Sequence, residues 1–176
     1  GEQPLPADGA CLLGSFNLTT YVYQEGEGMG YRFNWGQFIA DIKPVVRAMD
    51  CVVDEAVFPL PAQATEARNK RRMGLGVTGL ANTIEALGHP YGSRDFIEME
   101  DQILRLLTRH AYLASAELAK EKGPFPLYDS RYLAGSFVQT LDEDVQAAIA
   151  EHGIRNSHLT SIAPAATISL CADNVS

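Results

Sequence analysis

The longest regular pattern of apolar and polar positions has the period of an α-helix and spans residues 94–122. Ser93 stands at the N-cap position, and Gly123-Pro124 follows the pattern. Serine caps helix N-termini, whereas glycine and proline end helices. We interpret His110 as a structural histidine on the buried side. The pattern predicts one long helix with a buried side formed by Phe96, Ile97, Ile103, Leu104, Leu107, His110, Ala111, Ala114 and Leu118.

A second helical pattern begins after Asn34, a favourable N-cap, and continues to the prolines at positions 59 and 61. Pro44 interrupts this pattern, and it either kinks one long helix or opens a second helix. Cys51 lies within the pattern, and we expect its side chain to be a small buried or half-buried apolar group. Shorter patterns predict helices over residues 80–87 and 142–152.

Two segments favour an extended backbone. Residues 11–23 are predicted to be extended with a break at Gly14-Ser15, and residues 158–162 form a predicted strand that stops at Pro164. The alternation of helices and strands indicates the α/β class. We expect residues 1–176 to be a single, partial domain whose terminal strands pair with segments outside it, as if both ends were cut from a larger protein.

Composition excludes several classes of protein. With 46% hydrophobic and 20% charged residues, the chain is globular, and its net charge of −8 argues against binding a nucleic-acid polymer. No apolar run is long enough to span a membrane, and no signal peptide opens the chain. The three cysteines, Cys11, Cys51 and Cys171, lack metal-ligand spacing. We therefore predict a cytoplasmic protein without a metal site in this chain.

The segment Gly74-Leu75-Gly76-Val77-Thr78-Gly79 matches the dinucleotide fingerprint letter by letter. A true fingerprint follows an apolar strand and is followed by a second strand that ends in an acid about 20 residues later. Here a basic stretch, residues 64–72, comes first, and we expect that stretch to be a solvated face. We therefore favour close packing against the helix at 80–87 as the reason for the glycines. A dinucleotide-binding oxidoreductase remains the alternative.

Small and hydroxyl-bearing residues follow Pro164. Backbone N–H groups in such a turn can converge on an anion, and hydroxyl groups can add further donors. A plain connection between strands is the simpler alternative. The candidate phosphate-binding residues are Ala165, Ala166, Thr167, Ile168 and Ser169.

Four sequence blocks, in this order and spacing, resemble the catalytic subunit of ribonucleotide reductase. The resemblance covers essentially the whole chain, and the first and last blocks are closer to the adenosylcobalamin-dependent class than to the class with a di-iron radical subunit. The blocks are GEQPLPADGACLLGSFNL at residues 1–18, RRMGLGVTGLANTIEALG at 71–88, GPFPLYDSRYL at 123–133 and SIAPAATISLCADNVS at 161–176.

The resemblance implies part of a ten-stranded α/β barrel, rich in helices, with a central finger loop that carries an N-x-C-x-E motif. Gly1-Glu2 would be the end of that motif, and the radical cysteine would precede Gly1. Glu2 would take the proton of the substrate 3′-hydroxyl group. Cys11 would be one of the two cysteines that reduce the radical intermediate and end as a disulfide.

The resemblance also implies that the second reducing cysteine comes from an earlier strand, since Cys51 and Cys171 match no catalytic cysteine of the family. Residues 165–169 would bind the substrate phosphate mainly through backbone N–H groups. The family more often has Thr-Gly where this chain has Ala165-Ala166, and this difference weakens the side-chain part of that site.

The implied function is radical reduction of ribonucleoside di- or triphosphates to deoxyribonucleotides. The implied partners are the ribonucleotide, adenosylcobalamin, a thioredoxin-like dithiol and the rest of the parent chain. The isolated chain is expected to be inactive and, because of its unpaired strand edges, prone to aggregation. A third interpretation, a helical interaction module, predicts instead a monodisperse fold in isolation.

Overall fold

The structure, a computed structural model, describes residues 4–175. Strands and helices alternate along these residues, with three short 3₁₀ segments at residues 18–21, 130–134 and 138–140. The strands are β1 (Leu12–Asn17), β2 (Val22–Gln24), β3 (Tyr31–Phe33) and β4 (Met73–Thr78). The helices are α1 (Trp35–Glu55), α2 (Pro61–Lys70), α3 (Leu80–Ala86), α4 (Arg94–Lys122), α5 (Glu143–His152) and α6 (Ala166–Cys171).

Three parallel segments form the centre of the fold. β1 pairs with β4 from Leu12↔Met73 to Asn17↔Thr78. On the other side of β4, the backbone N–H groups of Met73 and Leu75 donate to the carbonyl groups of residues 158 and 159, at 3.0 and 2.7 Å. The strand predicted at 158–162 is therefore extended and parallel to β4, but its regular pairing is limited to one bridge between Leu75 and Thr160.

β1 differs from its prediction in two ways. It runs without a break through Gly14-Ser15, where a side chain on Gly14 would lie 3.1 Å from Met49 Sδ. The expected break is thus wrong, because Gly14 lets α1 approach the strand. The strand predicted over residues 19–21 is instead part of a 3₁₀ turn, in which the Asn17 carboxamide accepts a hydrogen bond from Thr19 N (3.2 Å).

Helix α1 packs against β1 and β4, and α4 packs against α1. α1 is one continuous helix that contains Pro44, and Asn34 caps it as predicted. Ser93 and Gly123 bound α4 as predicted. The pattern was wrong at two positions, since Cys51 is exposed and the Ile97 side chain is 57% exposed.

A buried ionic cluster, the Asp50 cluster, ties α1 to the amino ends of β4 and of the 158–161 segment. Asp50 is fully buried. Its Oδ1 accepts from Arg71 Nη2 (2.7 Å) and Asn156 Nδ2 (3.0 Å), and its Oδ2 accepts from Lys122 Nζ (3.3 Å) and Arg155 Nε (3.4 Å). Burial acts to raise the pKa of Asp50, but Arg71, Asn156 and Arg155 together hold that pKa below its usual value.

The basic stretch at residues 64–72 is therefore not a solvated face as a whole, contrary to the prediction. Arg71 and Arg72 are both buried. Arg71 also binds Asp54 (2.6 Å), and Arg72 Nη1 binds Glu66 Oε1 (3.0 Å). Buried guanidinium groups require such partners, because an unpaired charge would be costly to remove from water.

The α/β class and the richness in helix are confirmed. The ten-stranded barrel remains an expectation from the resemblance. Within residues 4–175, none of the helices is both long and apolar enough to cross a membrane.

Candidate active site

Cys11 lies immediately before β1 and lines a cavity of about 300 Å³. Its thiol is half-buried. The opposite wall comes from the 158–161 segment, and the loop before β1 closes one side. The other residues around the cavity are Pro4, Leu5, Pro6, Leu13, Arg72, Met73, His158, Thr160 and Ser161. Glu2, the predicted acid–base residue, lies outside the described residues.

Gly74 on β4 lies between Cys11 and the 158–161 segment. A Cβ atom at Gly74 would lie 3.6 Å from Cys11 Sγ and 2.9 Å from Ser161 Cβ. The thiol and Ser161 therefore approach each other over a position that carries no side chain. The sequence interpretation missed Ser161 as a neighbour of Cys11, because only the three-segment sheet brings them together.

The GLGVTG segment does not adopt the geometry of a dinucleotide fingerprint. Residues 74–78 lie inside β4, whereas in a fingerprint the glycines form the turn between a strand and a helix. The expectation that these glycines pack against α3 is also wrong for the two inside β4. Gly74 and Gly76 face Ser161 instead. Only Gly79 adjoins α3, as the residue before its first turn, in a left-handed conformation (φ 71°).

His158 is a polar group in the wall of the Cys11 cavity that the sequence interpretation did not single out. Its Nδ1 lies 3.0 Å from Ser157 Oγ. Burial lowers the pKa of His158 below its usual value, and the positive charges of Arg72 and Lys70 lower it further. A neutral imidazole therefore faces the cavity at neutral pH.

The candidate phosphate-binding residues form the start of a short helix rather than a turn between strands. α6 begins after Ala165, which has a left-handed conformation (φ 54°). The first N–H groups of a helix have no partner within the helix, so they remain available to an anion. The Ser169 hydroxyl is buried and donates to the Ala166 carbonyl (2.8 Å), so the structure uses this predicted donor internally. Thr167 and Ile168 are exposed.

A neutral cluster, the Asn17 cluster, attaches the end of α6 to the carboxyl ends of β1 and β4. Asn17 Nδ2 donates to the Ala172 carbonyl (3.2 Å), and Asn174 Nδ2 donates to Asn17 Oδ1 (2.7 Å). Thr78 Oγ1 donates to Asn174 Oδ1 (2.9 Å). In open α/β sheets, ligands bind at the carboxyl ends of parallel strands. The Asn17 cluster thus holds α6 at the end of the sheet where a ligand is expected.

The chain itself connects the two candidate parts of the site. Ser161 lies beside Cys11, and four residues later the backbone reaches Ala165 at the start of α6. Four residues span at most about 14 Å when fully extended. This limit applies to the distance between Ser161 and Ala165. Among residues 4–175, no three His, Cys, Asp or Glu side chains are grouped to hold a metal ion.

Comparison with known proteins gives a consistent result. The family model for the ribonucleotide reductase barrel domain matches residues 1–176. A vitamin B12-dependent ribonucleoside-diphosphate reductase of Mycobacterium tuberculosis (strain CDC 1551 / Oshkosh) is 36% identical over 172 residues, which cover 98% of this chain and 22% of the relative. The protein of the same name from Thermoplasma acidophilum is 32% identical over 175 residues, with 98% and 20% covered.

A more distant relative, the ribonucleoside-diphosphate reductase subunit alpha of Chlamydia pneumoniae, is 29% identical over 182 residues, with 90% of this chain and 17% of the relative covered. The chain thus spans about a fifth of the length of the first two relatives. Because the barrel-domain model matches from the first residue to the last, this chain belongs to the ribonucleotide reductase family.

Proposed function

We propose that this chain is the part of a ribonucleotide reductase catalytic barrel that carries one reducing thiol and the substrate-phosphate site. The complete protein would reduce ribonucleotides to deoxyribonucleotides. The observation that carries the proposal is the position of Cys11, which shares a cavity with the segment that leads into α6. The cavity of about 300 Å³ is at the lower end of the range for small-molecule sites.

The proposed role of Cys11 is to reduce the radical intermediate of the substrate. The ribose loses its 2′-hydroxyl group as water, and the two hydrogen atoms required come from Cys11 and a second cysteine outside this chain. The two sulfur atoms then form a disulfide, so the thiols are oxidised as the ribose is reduced.

Glu2 is proposed to accept the proton of the 3′-hydroxyl group as the radical reacts. Removal of this proton makes the ribosyl radical a better electron donor and so eases the loss of water. Pro4, only two residues after Glu2 in the sequence, lines the Cys11 cavity.

Residues 165–169 are proposed to bind the substrate phosphate through backbone N–H groups. The start of a helix favours a negative charge, because the unpaired N–H groups point toward it. Since the Ser169 hydroxyl donates within the helix, we assign little of the binding to that side chain.

The cofactor and partners are proposed from the relatives. Two of them are named vitamin B12-dependent, and adenosylcobalamin would supply the radical to the cysteine of the finger loop. We expect its contacts outside this chain. A thioredoxin-like dithiol would reduce the disulfide, the rest of the parent chain would complete a ten-stranded barrel, and the location would be cytoplasmic.

The test is Cys11→Ser in the complete polypeptide that carries this chain, supplied with adenosylcobalamin, a ribonucleotide and a dithiol. We expect at most one incomplete turnover without disulfide formation, and sustained turnover would contradict the proposal. Glu2→Gln should lower turnover severely and leave nucleotide binding nearly intact. A matching loss of binding would assign Glu2 a structural role.

A further inference from the structure

The glycines of β4 are required for space rather than for backbone conformation. Gly74 and Gly76 lie inside a regular strand, and neither has a positive φ. Any residue could adopt such a backbone. Glycine in a strand interior usually marks a close approach of another group.

The two glycines face different kinds of neighbour. A Cβ atom at Gly76 would lie 2.2 Å from the carbonyl oxygen of Ser161, which is backbone. A Cβ atom at Gly74 would meet side chains only, namely Leu13 Cδ2 at 2.6 Å, Ser161 Cβ at 2.9 Å and Cys11 Sγ at 3.6 Å. Gly76 therefore serves the fold, whereas Gly74 lies against the thiol.

We propose that Gly74 is a positioning residue for the Cys11 thiol, because the missing side chain lets Cys11 and Ser161 close over β4. This inference rests on the proposed function of Cys11. It assigns a role in the site to a motif that otherwise resembles a nucleotide fingerprint. The motif would set the position of the sulfur atom in the cavity without touching the substrate.

A methyl group at position 74 would displace some of its neighbours more easily than others. The end of the Leu13 side chain can move, because Leu13 is 48% exposed. Ser161 is less free, since its N–H group donates to the Leu75 carbonyl (3.2 Å) on β4. The methyl group would therefore push Ser161 aside and lie in van der Waals contact with the sulfur atom, which reduces access to the thiol.

The experiment measures how fast iodoacetamide alkylates Cys11 in the complete, reduced polypeptide, with peptide mass mapping to separate the cysteines. Gly74→Ala should lower the rate constant at Cys11 about tenfold and leave that at Cys51 unchanged. Gly30→Ala is the matched control, because a Cβ atom there meets nothing within 4 Å. Gly76→Ala should instead prevent folding.

An unchanged alkylation rate at Cys11 in a folded Gly74→Ala protein would overturn the inference. If Gly74→Ala does not fold, the double variant Leu13→Ala/Gly74→Ala removes the closest contact of the new methyl group. Failure of the double variant to fold would show that Gly74 serves only the fold. Alkylation does not depend on turnover. A wild-type protein without reductase activity would therefore contradict the proposed function while the position of the thiol is still tested.

Discussion

Charged groups hold the amino ends of β4 and of the 158–161 segment, whereas neutral amides hold the carboxyl ends of β1 and β4. At the amino end, Asp50 is fully buried among three basic side chains and one amide. At the carboxyl end, Asn17, Thr78 and Asn174 form hydrogen bonds without any formal charge. Both clusters join segments that are distant in the sequence.

The difference follows from what each end has to accommodate. A buried charge is stable only when its partners stay in place, so the Asp50 cluster fixes the amino end, where Arg72, Met73 and His158 line the Cys11 cavity. The carboxyl end adjoins α6, where we propose that a phosphate binds. Neutral amides can fix α6 there without placing a fixed negative charge beside that anion.

The largest loss of local stability should come from a mutation that disrupts the Asp50 cluster. Asp50→Ala leaves two arginines and a lysine without their buried partner, and removal of one member of such a pair costs about 3–5 kcal/mol. Native-state hydrogen exchange at the amides of Met73 and Ser157 measures this local loss. Asp54→Ala is the control, because the partly exposed Asp54 side chain should cost about 1 kcal/mol or less. Equal costs would contradict the assignment of Asp50 as the centre of the cluster.

Disruption of the Asn17 cluster should cause a smaller loss of local stability. Asn17→Ala removes the hydrogen bonds to Ala172 and Asn174 and should cost about 1–3 kcal/mol in the local opening of residues 172–175. Hydrogen exchange at the Gly79 amide, which donates to the Val175 carbonyl (2.9 Å), reports this opening. The control, Asn82→Ala, removes one exposed hydrogen bond to Val175 N and should cost less. If the control costs more, Asn17 is not the main anchor of α6.

Acid should distinguish the two ends without any mutation. Because the pKa of Asp50 is lowered in the folded protein, its carboxylate contributes stability above the unfolded-state pKa of about 3.9. That contribution is lost as the pH falls through the lower folded-state pKa. Hydrogen exchange corrected for its intrinsic pH dependence should show the amino end opening before the carboxyl end. The reverse order would contradict the contrast between charged and neutral ends.

The smallest effects should come from the other two cysteines. Cys51 and Cys171 are both exposed and do not line the Cys11 cavity. Cys51→Ser and Cys171→Ser should change stability by about 0.5 kcal/mol or less and leave turnover of the complete polypeptide unchanged. Loss of turnover in either variant would show that Cys11 is not the only cysteine of this chain in the reaction.

Features that depend on neighbours in the sequence were predictable. Ser93 and Gly123 bound α4, and Asn34 caps α1, because caps act within one turn of a helix. The start of α5 at Asp142 was predicted from the local pattern, although the Asp142 side chain makes no capping hydrogen bond. The blocks that resemble ribonucleotide reductase also singled out Cys11, and the family match is consistent with that resemblance.

Features that depend on distant partners were not predictable. Arg71 resembled a solvated basic residue, because its partner Asp50 is 21 positions away and Asn156 lies 85 positions away. Gly74 resembled part of a nucleotide fingerprint, because Ser161 approaches it only in the folded sheet. Local patterns and the family blocks in the sequence determined helices α1, α3, α4 and α5, the class of fold and the candidate thiol, but not α2 or α6. The tertiary structure alone decided which charges are buried and which side chains meet at the thiol, since burial and close approach arise only when distant segments pack together.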